Sequence, residues 1–164
     1  MKTGRPPNWN PVADLNSEVW TDVLTLASKA RVTFSPAIRQ RLPWLHRGAT
    51  GLLAVSEPGR RAELLPWDPI GHQTITQVRA VIDAAEGAER DDLALAAMDR
   101  FLRLSLDETG RTTLPAPLAS LLDTEIDQRV RVVVRGPRLW LWSERRWEAG
   151  RAARIALLAN AERG

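Results

Sequence analysis

Short apolar runs of strand character, separated by turn residues, follow one another along the chain in the same order twice. The first copy opens with Val23 to Leu26 and the second with Phe101 to Leu106; each is followed by a polar turn, a second short run and a proline. Pro36 and Pro115 suit a first helical turn, where a missing N–H has no helical partner to lose. Two further β-prone runs come after each proline: Gly51 to Ser56 and Ala62 to Leu65 in one copy, Val130 to Arg135 and Leu139 to Trp142 in the other. The pattern predicts two hairpins flanking one short helix in each copy.

Between and after the copies the hydrophobic period lengthens to that of a helix. Ile75, Val78 and Ile82 fall on one helical face between Gln73 and Ala85, and Leu93, Ala96 and Ala97 do so beyond Glu86-Gly87. These two amphipathic helices are expected to pack on the hairpins or on a neighbouring subunit. A last helix is predicted after Ser143 as N-cap, with Glu144 in its first turn and Trp147, Arg151, Ile155 and Leu158 along one stripe. Trp147 would anchor that helix on the second copy. Trp140 and Trp142 share one face of a strand, where a core or oligomer contact is preferred to base stacking. Residues 1–17, rich in Pro and Asn, lack periodicity and are expected to form a disordered arm. Entry of that arm into a minor groove would rest on Lys2 and Arg5 alone.

The two copies also share letters. At an offset of 80 positions Leu26 matches Leu106, Arg31 matches Arg111 and Thr33 matches Thr113, with Phe34 or Leu114 following. A repeat of about half the chain implies two copies of one supersecondary unit. Division into an arm (1–17), a first half (18–70), a helical connector (71–99) and a second half (100–164) follows. In the second half, Asp107 stands four residues before Arg111 with Gly110 between them, a spacing that brings carboxylate and guanidinium together across a turn that glycine enters freely. Ala27 stands where Asp107 does, so Arg31 has no such carboxylate and is the less restrained guanidinium.

Asp107-Glu-Thr-Gly110-Arg111-Thr-Thr-Leu-Pro115 resembles the MraZ family motif D-x-K-G-R followed by Φ-x-Φ-P, with Thr109 in place of the Lys. The first half, Ala27-Ser-Lys29-Ala30-Arg31, keeps Lys and Arg and lacks Asp and Gly. Leu139-Trp-Leu-Trp-Ser-Glu-Arg-Arg-Trp147-Glu is similar to the family strand that ends in W-S-x-E-R-W before a helix. The resemblance spans roughly Val23 to the C-terminus. It implies an α+β fold of tandem swapped-hairpin, AbrB-like β-barrel halves, with short helices and amphipathic connecting and C-terminal helices. It further implies a homo-oligomer, ring-like in the family, that binds repeated sites in promoter DNA upstream of the division and cell-wall gene cluster. Lys29, Arg31, Arg39 and Arg111 are then the expected DNA-binding residues, with Asp107 and Gly110 as structural members of the motif. Arg39 falls where the family often has Arg, while the second half has Ala119.

Net charge is only +3, but it is unevenly spread. Residues 1–70 hold nine basic against six acidic side chains, residues 71–99 two against six, and residues 100–151 ten against seven. Basic charge on the two motif-bearing halves suits a polyanionic partner, although 21 of the 23 basic residues are Arg, a bias that a genome rich in Arg codons also produces. The absence of Cys excludes disulfides and thiolate metal sites, and with no signal peptide or long apolar run a cytoplasmic protein is expected, nucleoid-associated as the resemblance implies. His46 and His72 stand alone, and no H-E-x-x-H, G-x-S-x-G or phosphate-binding glycine loop occurs, so neither an enzyme nor a metal or cofactor site is expected. Two other readings compete: an antitoxin, whose tail after Trp147 would hold a toxin, and an oligomeric scaffold whose eroded first motif no longer binds DNA.

Overall fold

The computed structural model describes residues 18–45 and 51–164; the N-terminal arm and His46 lie outside the described residues. Six strands form one antiparallel sheet in the order β1-β7-β8-β4-β3-β5. They are β1 (Val19–Thr25), β3 (Gly51–Glu57), β4 (Arg61–Pro66), β5 (Phe101–Ser105), β7 (Arg129–Arg135) and β8 (Arg138–Ser143). Two three-residue strands, β2 (Arg31–Thr33) and β6 (Arg111–Thr113), pair separately as a short antiparallel ribbon.

The pairing interleaves the two halves. Among the described residues only β3 with β4, and β7 with β8, form hairpin ladders within their own half. The first strand of each half crosses over: β1 pairs with β7, placing Trp20 opposite Val134, and β5 pairs with β3, placing Leu104 opposite Leu52. The expected first hairpin of each copy is therefore not formed as a ladder, because β2 finds its partner in β6 rather than in β1. The barrel halves are replaced by a shared open sheet: among the described residues β1 and β5 are its edges, and no ladder joins them.

Period-2 alternation explains the core. Val130, Val132 and Val134 of β7, and Leu139 and Leu141 of β8, point inward and are buried. The repeat register extends into the same cluster, where Leu24 and Leu104, Leu26 and Leu106, Phe34 and Leu114, Ile38 and Leu118, and Leu42 and Leu122 are all buried. Each pair is separated by 80 positions, so the halves meet about an approximate two-fold axis through one core. Burial of each such side chain favours folding by about 1.5–3 kcal/mol.

Helix α1 (Pro36–Arg41) has Pro36 in its first turn, as its sequence predicts, and the structure adds a cap, the Ser35 hydroxyl accepting from the Ile38 N–H at 3.4 Å. Its counterpart α4 (Ala116–Leu121) starts one residue after Pro115, which is the cap and offers no side-chain hydrogen bond. Helices α2 (His72–Ala84) and α3 (Gly87–Arg100) pack on each other, and α3 touches β3 and β5. Ile75, Val78, Ile82, Leu93 and Ala97 are half-buried there, whereas Ala96 is exposed.

The C-terminal helix starts at the Ser143 cap, whose hydroxyl accepts from the Arg146 N–H at 3.1 Å, but it breaks at Gly150 into α5 (Glu144–Ala149) and α6 (Arg151–Arg163). Trp147 stacks edge-on against Trp142 and lies beneath Arg131 and Arg154, so it does anchor α5. Ile155 and Leu158, farther along the stripe, are exposed. Trp140 and Trp142 lie opposite the core face of β8. They are half-buried under Arg138 and Arg61, because Leu139 and Leu141 take the inward positions. None of the described helices is long and apolar enough to cross a membrane.

Candidate nucleic-acid interface

The β2–β6 ribbon brings the two motif arginines to one surface. In both strands the middle residue, Val32 or Thr112, is buried, so alternation turns the residues on either side of it outward. Arg31 lies opposite Thr113, and Arg111 opposite Thr33. The loops before the strands are stitched across the same axis: the Phe34 N–H donates to the Gly110 carbonyl at 2.8 Å, and the Leu114 N–H to the Ala30 carbonyl at 2.9 Å. Beside the ribbon runs a groove of about 480 Å³ whose walls include Arg31, Arg103, Ser105, Asp107, Arg111 and Thr113.

The second motif loop is organised by the Asp107 carboxylate. Its Oδ1 accepts from the Thr109 N–H (3.0 Å), the Thr109 hydroxyl (2.8 Å) and the Arg111 N–H (2.9 Å), and its Oδ2 accepts from the Arg111 Nε–H at 2.9 Å. The Arg111 backbone N–H first, and the Thr109 hydroxyl next, hold this carboxyl far below the usual carboxylate range; the Arg111 guanidinium adds less. Pairing of Asp107 with Arg111 was the expectation, and the ion pair is there, nearly half-exposed on both sides. Exposed pairs of this kind contribute little to stability, so the loop owes its order chiefly to the amide and hydroxyl bonds. Gly110 is buried at φ +81°, in the left-handed region, and a Cβ there would lie 3.3 Å from the Phe34 carbonyl oxygen.

The first loop lacks that carboxylate. Ala27 and Arg31 bond only through their backbones, with the Ala27 N–H donating at 2.9 Å and the Arg31 N–H at 3.4 Å. Lys29 and Ala30 both take left-handed conformations, at φ 63° and 54°, so an alanine occupies the place that glycine has in the second loop. No carboxylate pairs with Lys29 or Arg31 among the described residues.

Of the four cations expected from sequence, Arg31 and Arg111 share the groove. Lys29 sits exposed on the first loop and is not part of its wall. Arg39, on α1, reaches across to the second loop: a Cβ on Gly110 would meet its Cδ at 3.4 Å and its Nε at 3.5 Å. That Nε is buried without a hydrogen-bond partner. A further cation, Arg103 of β5, lines the groove and was missed by motif reading because it lies outside the repeated letters; Val23 occupies its place in the first half. The available signal was its outward position beside the buried Leu104.

No family model matches the chain. It is 27% identical over 135 residues, 77% of its own length and 80% of the relative's, to a protein of Thiobacillus denitrificans (strain ATCC 25259 / T1) described as transcriptional regulator MraZ. That distant similarity agrees with the resemblance of the chain's motifs to the MraZ family.

Proposed function

We propose that the chain is a sequence-specific, double-stranded DNA-binding regulator of the MraZ type, working as a homo-oligomer at repeated sites upstream of the division and cell-wall gene cluster, in the cytoplasm at the nucleoid. The observation that carries this reading is the outward placement of Arg31 and Arg111 from the two halves on one ribbon beside one groove. Phosphates would be held by Arg31, Lys29, Arg39 and Arg111, while Asp107 and Gly110 shape the second loop. The exchange of first strands between the halves supports the swapped-hairpin, AbrB-like reading of residues 18–70 and 100–164 about a helical connector, 71–99. Exposed Ile155, Leu157 and Leu158 on α6 suit a subunit contact. The same exposed face is what an antitoxin tail would offer a toxin, which keeps that reading second.

The test is affinity for the DNA upstream of its own gene, against a random duplex of equal length, at several salt concentrations. The native chain is expected to prefer the upstream duplex. Changing Lys29 and Arg31 together to Ala is expected to weaken binding to both and to reduce the salt slope by about two, one per lost phosphate contact. Equal, negligible binding to both duplexes by the folded native chain would leave the scaffold reading in its place.

A further inference from the structure

Arg103 is held in the groove by a different device from the motif arginines. Its guanidinium carbon lies 4.1 Å from the centre of the Trp67 ring, and no carboxylate pairs with it among the described residues. The ring itself has little freedom. A Cβ on Gly71 would come within 2.9 Å of its Cε3, and one on Gly51 within 3.3 Å of its Cβ and 3.7 Å of the Arg103 Nη2. His72 meets the ring edge-on at 6.0 Å. Two glycines thus make room for an indole on which the guanidinium rests.

Stacking on an aromatic face orients a guanidinium without neutralising it, leaving its in-plane N–H donors directed outward. The three arginines of the groove differ accordingly. Among the described residues Arg31 has no carboxylate partner, Arg111 is tied to Asp107, and Arg103 keeps its whole charge at a defined position on an edge strand. Among the described residues Asp107 is the one acidic wall of this groove, and a phosphodiester approaching Arg111 meets its negative charge. Arg103 offsets that repulsion from the same half.

Resting on the DNA-binding reading above, we propose that Arg103 is a third phosphate-binding residue of the groove, contacting the duplex backbone. Since the first half has Val23 there, the two halves would present unequal phosphate contacts about the approximate two-fold axis.

The experiment measures affinity against salt for the native chain, Arg103→Gln and the Lys29/Arg31 double variant, on the upstream and random duplexes. In parallel, phenylglyoxal modification of the native chain, with and without DNA, is mapped by mass spectrometry; this arm needs no variant to fold. Arg103→Gln is expected to bind both duplexes more weakly with a slope lower by about one, and DNA is expected to shield Arg103 from the reagent. An unchanged slope in folded Arg103→Gln, or equal modification of Arg103 with and without DNA, overturns the proposal. If the double variant still loses slope in that case, the DNA-binding reading stands without Arg103. Failure of the native chain to bind either duplex overturns both.

Discussion

The two motif loops reach corresponding positions by unlike means. In the second, one carboxylate gathers four hydrogen bonds and a glycine takes the left-handed turn. In the first, backbone bonds alone close the loop, and two residues with side chains, Lys29 and Ala30, adopt the backbone region that disfavours them. The difference separates order from charge. Asp107 makes its loop well organised and partly neutral, whereas the first loop carries left-handed backbone at Lys29 and Ala30 and leaves Lys29 and Arg31 unscreened by a paired carboxylate among the described residues. A repeated unit can divide labour in this way because both loops are tied to each other across the axis, so order in one supports the other.

A buried arginine–carboxylate pair sets the scale for what Asp107 and Arg111 do not supply. Arg131 donates to both Glu144 oxygens at 2.8 and 2.7 Å, and the glutamate side chain is 1% exposed. Glu144→Ala strands the guanidinium and is expected to cost about 3–5 kcal/mol in denaturant unfolding, the largest effect of this group. A loss no greater than that of Asp107→Ala would erase the contrast between buried and exposed pairs.

Next comes Gly110→Ala. The new Cβ is strained at φ +81° and crowds the Phe34 carbonyl, so a loss of about 1–3 kcal/mol is expected in thermal melts. The reciprocal change, Ala30→Gly, relieves the first loop and is expected to stabilise by about 0.5–1 kcal/mol. Should Ala30→Gly prove destabilising, the first loop is not the strained one.

The smallest effect is expected from Asp107→Ala, a slight drop in melting temperature with local loosening of residues 107–111, read from amide exchange. Its pH dependence has a fixed sign. The folded-state pKa of Asp107 is depressed, so its contribution is present above the ordinary carboxylate range and is lost only as pH falls through the lower value. The Thr109 and Arg111 amide resonances are expected to stay flat from about pH 8 to about pH 4 and to move only in stronger acid. Titration of these amides near neutrality would remove the carboxylate from its organising role.

Much of the site was readable in one dimension. The shared Arg31 and Arg111, the Asp107-to-Arg111 spacing and Gly110 each announce a local geometry, and local geometry depends on neighbours a few residues away. Arg103 and Trp67 announced nothing, since their stack joins β5 to the segment after β4 and neither belongs to a repeated motif. The buried pairs from Leu24 and Leu104 to Leu42 and Leu122 carried the repeat more strongly than the shared polar letters, yet apolar matches are common enough to pass unnoticed.

By itself, then, the sequence determined the two-copy plan, the strand-forming runs, the Pro36 first turn, the Ser143 cap and the internal bonding of the Asp107 loop, all set by interactions within a turn or by alternation along one strand. Tertiary structure alone decided which strands pair, that β1 and β5 exchange halves, that the sheet stays open, and that Arg103 joins Arg31 and Arg111 at one groove. The reason is physical: a strand's alternation states which face is apolar, while its hydrogen-bonding edges are the same for every sequence. The choice of partner falls to whichever register buries both halves' apolar faces together.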